Sequence, residues 1–177
     1  MTLFALTGTP GTGKTTLSQE LRSRGYEVVD GKEFIRSHGL LGEYDADRDT
    51  YEVDLDALND ALEGFRSDDR PVILDSHLSH FMDSRGIILL RCSPRSLAER
   101  LRGRGYSERK VRENVQAEIL DEILCEASET DIPIGEIDCS ALSVREAADI
   151  AEKIISGDAS DYPPGSTDWT SEMDEWF

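Results

Sequence analysis

The sequence predicts a single α/β domain built on a parallel sheet. Short apolar segments alternate with segments of helical periodicity, and a glycine-rich loop joins the first pair. The 177 residues suffice for one domain with a substantial core, and 38% of them are hydrophobic, as in a folded globular protein. Because neighbouring parallel strands need a crossover connection, this alternation favours a sheet covered by helices on both faces.

Five strands and five helices are predicted in this order. The strands cover residues 3–7, 27–30, 72–75, 87–91 and 136–138, and the helices cover residues 14–24, 55–65, 96–103, 108–127 and 144–156. Pro94 stands near the first turn of the third helix, a position that proline favours. Right-handed crossovers bring the carboxyl ends of the strands to one edge of the sheet, so a functional site is expected there.

Two segments depart from the alternation. Residues 37–54, SHGLLGEYDADRDTYEVD, are polar and acidic and are predicted to form a mobile arm. Residues 158–177 are acidic and proline-bearing, and they are predicted to form a flexible tail after a domain of residues 1–157. Trp169 and Trp176 leave open that this tail docks on its own domain or on a partner.

The chain is strongly acidic, with a formal net charge of −18. This charge disfavours anionic membranes and direct, sequence-specific nucleic-acid binding. Because the acidic residues are scattered along the whole chain, they favour a high-salt, halophilic type of cytoplasm. A strongly basic protein partner is the alternative, and the two explanations are compatible.

The expected location is the cytoplasm. No apolar run approaches the roughly 18 residues of a membrane-spanning helix, and the first residues lack the pattern of a signal peptide. Cys92, Cys125 and Cys139 are widely spaced and odd in number, so they are expected to be free, buried thiols.

The glycine-rich loop carries the pattern G-x-x-x-x-G-K-[ST] at Gly8, Gly13, Lys14 and Thr15. A predicted strand precedes it and a predicted helix follows it, as a phosphate-binding loop requires. The backbone amides of residues 11–16 would face phosphate oxygens at the positive end of that helix. Lys14 is predicted to reach the β- and γ-phosphates of ATP, and Thr15 to offer its hydroxyl to Mg²⁺.

A second motif lies at the end of the third predicted strand, in RPVILDSHLSHF. Asp75 is predicted to bind the metal through a water, and the alternative is that it caps the next helix. His77 would orient a water or a substrate hydroxyl, and the alternative is a structural role. His38 and His80 are predicted to be surface or packing residues.

A third group consists of arginines within RSLAERLRGRGYSERKVRENVQAEI, at residues 95–119. Gly103 and Gly105 flank Arg104, which indicates a hinge. An arginine on such a hinge would close over phosphates and stabilise the transferring charge. The alternative is that these arginines face solvent and pair with nearby glutamates, an explanation that suits Arg102 and Arg112 better than Arg104.

Arg36 is a candidate for binding an acceptor phosphate. It follows the second strand in DGKEFIR, which faces the phosphate loop across the switch point of the sheet. The alternative is an exposed helix residue.

Together, TGTPGTGKTTLSQEL, ILDSH, RGYSERKV and ENVQAEI resemble the archaeal and nuclear adenylate-kinase-like proteins, of the adenylate kinase isoenzyme six type. The similarity runs over residues 2–155. It implies a P-loop NTPase fold of the nucleoside monophosphate kinase type, with a five-stranded parallel sheet. It also implies a monophosphate-binding arm at residues 30–53 and a short lid at residues 103–113.

The resemblance implies a broad-specificity nucleoside monophosphate (adenylate) kinase with ATPase activity, which transfers the terminal phosphoryl group of ATP-Mg²⁺ to AMP or other monophosphates. Its implied catalytic residues are Lys14, Asp75, His77 and Arg104. The implied ATP-binding residues are Gly11, Thr12, Gly13, Lys14, Thr15, Thr16 and Arg104, with Arg36 for the monophosphate and Thr15 and Asp75 for Mg²⁺. Lys32 and Glu33 depart from the small and acidic pair that such kinases carry before the arm helix.

The resemblance also implies a role in late maturation of the small ribosomal subunit and its 16S rRNA. The implied partners are pre-small-subunit particles and a basic platform ribosomal protein of the S-eleven family, which is bound transiently and released by ATP hydrolysis. The alternative function is a small-molecule kinase of the shikimate or gluconate type, against which the Asp-x-His and Arg-Gly-Tyr segments argue.

Overall fold

The computed structural model of the protein describes residues 2–45, 50–66 and 70–177. Its strands are β1 (Leu3–Thr7), β2 (Glu27–Asp30), β3 (Leu41–Asp45), β4 (Thr50–Val53), β5 (Val72–Asp75), β6 (Gly86–Arg91) and β7 (Ile134–Asp138). Five of them form a parallel sheet in the order β2–β5–β1–β6–β7. The predicted sheet is confirmed, with β6 and β7 beginning one and two residues earlier than expected.

The helices are α1 (Lys14–Ser23), α2 (Gly31–Ser37), α3 (Leu55–Ala61), α4 (Glu63–Arg66), α5 (Pro94–Gly103), α6 (Glu108–Ile119), α7 (Glu122–Ala127), α8 (Val144–Ser156) and α9 (Met173–Trp176). Two helices predicted as continuous are interrupted. The helix expected over 108–127 breaks at Asp121, which has a φ of 55° and whose carboxylate accepts a hydrogen bond from Arg91. The helix expected over 55–65 is divided into α3 and α4, and Leu62 lies between them.

Helices cover both faces of the sheet, because successive residues of β1 point to opposite sides. Phe4 and Leu6 belong to the apolar cluster that includes residues of α1 and α8. Leu3 faces the other side, in a cluster with residues of α2 and α3. All three residues are essentially inaccessible to solvent, so β1 runs through the centre of the core.

The arm between β2 and α3 has more regular structure than the sequence indicates. It begins with α2, whose first turn is capped by the Asp30 side chain accepting from the Glu33 amide at 3.0 Å. It continues into β3 and β4, which pair antiparallel as a separate two-stranded sheet. Residues 46–49 of the predicted arm lie outside the described residues.

The carboxyl-terminal segment lies against its own domain, which is one of the two docking alternatives that its tryptophans leave open. The Glu136 carboxylate on β7 accepts the amides of Gly165 and Thr167, at 2.7 and 2.8 Å. Trp176 is only 8% exposed and packs with Trp169 against residues of α5 and α6. Because these aromatic side chains bury a large apolar surface, the segment folds back onto its own domain.

Cys92 and Cys139 are free and buried, as predicted, whereas Cys125 is free but exposed. In the described part of the chain, the structure has no helix with the length and apolar character that crossing a membrane requires.

Candidate active site

The phosphate loop joins β1 to α1 and lies tightly against neighbouring elements. Gly8 has a φ of 137°, and a Cβ there would lie 2.4 Å from the carbonyl oxygen of Leu90 on β6. A Cβ on Gly11, whose φ is 99°, would lie 2.8 Å from Leu97 of α5. Side chains at these two positions would therefore push the loop away from the sheet and from α5.

Lys14 is the first residue of α1, and its ammonium group turns back onto the loop. It donates to the carbonyl oxygens of Gly8 and Thr9, the latter at 3.2 Å. Burial, against the opposing charges of Asp75 and Glu118 and with a small contribution from Arg104, lowers the pKa of Lys14 to about 8. The lysine is thus held beside the loop that would receive phosphate.

Asp75 ends β5 beside the first turns of α1. The Ser18 hydroxyl donates to its Oδ2 at 2.6 Å. Burial raises the pKa of Asp75, and the Ser18 hydrogen bond and the Lys14 charge lower it. The predicted capping alternative is not seen, because the next helical turn, Ser79–Phe81, begins after Leu78 and has no side-chain cap.

The two histidines after β5 differ in their surroundings. His77 keeps part of its surface in solvent, while the protein around its ring and the Lys14 charge lower its pKa. His80 is buried, with Nδ1 lying 3.0 Å from the Thr7 hydroxyl and Nε2 lying 3.1 Å from Glu126. His80 is therefore a packing residue, as one of its two predicted alternatives states.

The arginines of α5, the following turn and α6 divide into two groups. Arg102 forms two hydrogen bonds with Glu108, at 2.8 and 2.9 Å, on the outside of the molecule. Arg112 donates to the carbonyl oxygen of Trp176 at 3.2 Å. By contrast, Arg100 donates to the carbonyl oxygen of Thr12 at 3.0 Å, and Arg104 lies near enough to influence Lys14.

A cavity of about 510 Å³ opens beside the loop. Its walls come from the phosphate loop and α1, from the end of α5, and from the β7–α8 connection. They comprise Gly11, Thr12, Gly13, Thr16, Leu17, Arg100, Gly103, Arg104, Cys139, Leu142, Ser143, Val144 and Ala147. The structure thus brings Arg104 to the same cavity as four predicted loop residues, Gly11, Thr12, Gly13 and Thr16, whereas Lys14 and Thr15 are not among its lining residues.

Arg36 is not brought to this cavity. It lies on α2 with 69% of its side chain exposed, and it forms an ion pair with Glu33 one turn earlier. In this conformation it matches the predicted alternative of an exposed helix residue.

Three residues of the site were not predicted from the sequence. The spacing of four already places Arg100 on one helix face with Arg104, although no binding role was predicted for Arg100. Ser18 follows Lys14 at the same spacing, so the helical period could have indicated it. Glu118 is buried and accepts a hydrogen bond from Thr9, which is 109 residues away in the chain. No local sequence pattern indicates that contact.

A phosphate loop at the first strand of a five-stranded parallel sheet, with a lysine and a strand-end aspartate beside it, defines a P-loop kinase fold. A family described as AAA domain matches residues 5–121. The chain is 40% identical over 176 residues to the "Putative adenylate kinase" of Archaeoglobus fulgidus, covering 98% of this chain and 94% of that protein. It is likewise 40% identical to the protein of the same name from Methanocaldococcus jannaschii, covering 98% and 96%. The chain belongs to the family of these archaeal proteins, whose names support a nucleotide kinase and phosphotransferase.

Solved structures share the fold at low sequence identity. A deoxyadenosine kinase from M. mycoides has a TM-score of 0.58 and 17% identity, covering 88% of this chain and 99% of that one. A shikimate kinase from Bacteroides thetaiotaomicron has a TM-score of 0.59 and 16% identity, covering 87% and 98%. These structural similarities confirm the predicted fold. Because the two kinases are named for different substrates, the shared fold does not indicate which acceptor this chain uses.

Proposed function

We propose that the protein is an ATP:nucleoside monophosphate phosphotransferase of the adenylate kinase type, with broad acceptor specificity and an ATPase activity. The observation that carries this proposal is the grouping of Lys14, Asp75 and Arg104 around one phosphate loop that opens into a cavity. The family of archaeal relatives supports AMP as the first acceptor to test.

Phosphoryl transfer would depend on positioning and on electrostatic stabilisation. An acceptor phosphate oxygen would attack the γ-phosphorus of ATP while the bond to the β-γ bridging oxygen breaks, leaving ADP. Lys14 would move from the loop carbonyls to the β- and γ-phosphate oxygens. Arg104, on the turn after α5, would close over the transferring group and exclude water.

The oxygen donors beside the loop suit Mg²⁺, which usually binds proteins through few carboxylates together with substrate phosphates. Thr15 would bind it directly and Asp75 through a water. Within residues 2–45, 50–66 and 70–177, no group of three or more His, Cys, Asp or Glu side chains could hold a metal ion. Bound with ATP, Mg²⁺ would neutralise phosphate charge.

The acceptor would bind beneath the arm, with Arg36 holding its phosphate. The arm begins next to Asp75. Gly31, the first residue of α2, packs against Ser76, the residue after Asp75, so closely that a Cβ on Gly31 would lie 2.6 Å from the Cβ of Ser76. For this role Arg36 must exchange its ion pair with Glu33 for the acceptor phosphate. An exposed ion pair is weak enough for this exchange.

The walls of the cavity and the shortness of the lid support broad nucleotide specificity. Leu142, Val144 and Ala147 present apolar side chains on the β7–α8 side. Only three residues separate the end of α5 at Gly103 from the Ser107 cap of α6. Such a surface can stack against a base but offers few groups that distinguish one base from another.

ATP hydrolysis would use His77 to orient a water when no acceptor is present. Its ring keeps contact with solvent near Lys14, and its pKa is lowered, so it is neutral and able to accept a proton. His77→Ala should then reduce hydrolysis much more than ATP affinity. Equal losses in hydrolysis and affinity would assign His77 a structural role.

We also propose a cellular role in late small-subunit and 16S rRNA maturation, through transient binding of the basic platform ribosomal protein of the S-eleven family. The support is the resemblance seen in the sequence and the net charge of −18, which suits a basic partner. The purified partner should be retained on the immobilised protein with a non-hydrolysable ATP analogue and released during ATP turnover. Retention that does not depend on nucleotide would contradict release by hydrolysis.

The catalytic proposal is tested by incubating the protein with Mg²⁺, ATP labelled in the γ-phosphate and, separately, AMP, other monophosphates, shikimate or gluconate. Transfer of label to AMP with formation of two ADP is expected. Labelled shikimate or gluconate would establish the alternative kinase class. Release of labelled phosphate alone, unchanged by any acceptor, would contradict the kinase and leave only an ATPase.

A further inference from the structure

Glu118 is a buried carboxylate on α6 with every oxygen engaged, and the catalytic proposal gives it no task. It is 3% exposed. Its Oε1 accepts from Arg91 Nε at 2.8 Å and from the Cys92 amide at 3.1 Å. Its Oε2 accepts the hydroxyl hydrogen of Thr9.

Thr9 accepts or donates several of the hydrogen bonds that hold the phosphate loop. Its carbonyl oxygen accepts from the amide and the hydroxyl of Thr12, at 3.2 and 2.9 Å, and from Lys14 Nζ at 3.2 Å. Its side chain is 2% exposed and bound to Glu118. Any movement of Thr9 would therefore be passed to Thr12 and Lys14.

The other end of this connection is α6, whose first residues belong to the predicted lid of residues 103–113. The helix α6 begins at the Ser107 cap, directly after the turn that carries Arg104, and Glu118 lies near its carboxyl end. Arg91 fixes that end of the helix a second time, because its Nη2 donates to the Glu118 carbonyl oxygen at 3.0 Å. The lid and the phosphate loop are thus joined through one rigid helix.

We propose that Glu118 is a positioning residue that fixes the phosphate loop through the Thr9 hydroxyl and couples the loop to the lid helix α6. This proposal rests on the proposed nucleotide-binding function of the loop. A buried ion pair such as that of Glu118 with Arg91 adds little net stability, whereas a charge-assisted hydrogen bond has a defined direction. The negative charge of Glu118 also raises the pKa of Lys14 and so offsets part of the lowering that burial causes.

The direct test removes only the Thr9 hydroxyl. Thr9→Val keeps the size of the side chain and the bonds of Glu118 with Arg91 and Cys92. It is expected to lower kcat/KM for phosphoryl transfer about tenfold or more and to speed hydrogen exchange of the loop amides. Thr9→Ser, which keeps the hydroxyl, is expected to restore both. The matched control is Thr2→Val, which removes a hydroxyl that donates to the Phe65 carbonyl oxygen at 3.1 Å, just before β1.

A second test shows whether Glu118 acts through Thr9. Glu118→Gln keeps the shape and removes the charge, and its effect on transfer should not add to that of Thr9→Val in the double variant. Wild-type transfer and loop exchange in Thr9→Val, no rescue by Thr9→Ser, or full additivity would each overturn the proposal. If the wild type transfers no phosphoryl group to any acceptor, the proposed function fails, and loop exchange with and without ATP still decides the role of Glu118.

Discussion

The phosphate-loop side of the molecule and the monophosphate arm are built in different ways. Around the loop, Thr7, Thr12 and Ser18 are fully buried, and their neighbours come from several strands and helices. In the arm, β3 and β4 pair with each other and not with any described strand of the main sheet. Tyr44 and Tyr51 on this hairpin are about half exposed, and Arg36 faces outward.

Under the proposed function, this difference predicts that the ATP half of the site is formed before substrates arrive, whereas the acceptor half is completed on binding. A loop held by many buried contacts can bind phosphate with little rearrangement. Phe34 and Ile35 anchor α2 in the core, but the β3–β4 hairpin of the arm pairs with no described strand of the main sheet. The hairpin can therefore move, because local opening there costs little free energy. Changes in the loop should therefore affect turnover, and changes in the arm should affect acceptor affinity.

The largest effect is expected from the loop lysine. Lys14→Met should reduce phosphoryl transfer by at least about a thousandfold, since it removes the charge nearest the transferring group. Thermal unfolding should show no loss of stability, because the buried ammonium disfavours the folded state at pH values below its lowered pKa. Lys153→Met, which changes an exposed lysine beside Tyr162, should leave kcat unchanged. A Lys14 variant with ordinary turnover would contradict a formed phosphate site.

A smaller effect is expected at the lid. Arg104→Ala should lower kcat about a hundredfold, as loss of one preorganised donor does. Its matched control is Arg102→Ala, two residues away, which breaks only the surface pair with Glu108. Steady-state kinetics with ATP and AMP should show no more than about a twofold change for the control. Similar losses in both variants would mean that the lid acts through its overall charge.

The arm should respond in affinity rather than in rate. Arg36→Ala should raise the KM for AMP about tenfold, which corresponds to roughly 1.4 kcal/mol, with the KM for ATP unchanged. Glu33→Gln, which frees Arg36 from its ion pair, should lower the KM for AMP about two- to threefold. Arg109→Ala removes another exposed arginine paired with a helix glutamate and is the control. An unchanged KM for AMP in Arg36→Ala would place the acceptor phosphate elsewhere.

The smallest predicted effect is the uptake of protons when ATP binds. The pKa of Lys14 is lowered to about 8, so near that pH about half of the free protein carries a neutral lysine. Nucleotide phosphates favour the charged form, and binding should take up about half a proton at pH 8. Calorimetry of ATP binding in buffers of different ionisation enthalpy measures this uptake. Lys14→Met should abolish it, and uptake that survives this substitution would assign the proton to another group.

The sequence predicts the parts of the molecule that short segments determine. Short, largely apolar segments of three to five residues predict the five sheet strands, and the contiguous loop pattern predicts the placement of Lys14. It does not predict the contact of Glu118 with Thr9 or the burial of Trp176, since both depend on residues distant in the chain. The break at Asp121 is missed for the same reason, because Arg91 on β6 binds its side chain.

The difference between a preformed ATP half and an acceptor half completed on binding is tested most directly by hydrogen exchange with two ligands. The first is a non-hydrolysable ATP analogue with Mg²⁺, and the second is a bisubstrate analogue that joins two adenosines through five phosphates. The ATP analogue should protect the loop and the lid turn but leave α2 unchanged, and the bisubstrate analogue should in addition protect α2. Identical protection by both ligands would contradict an acceptor site beneath the arm.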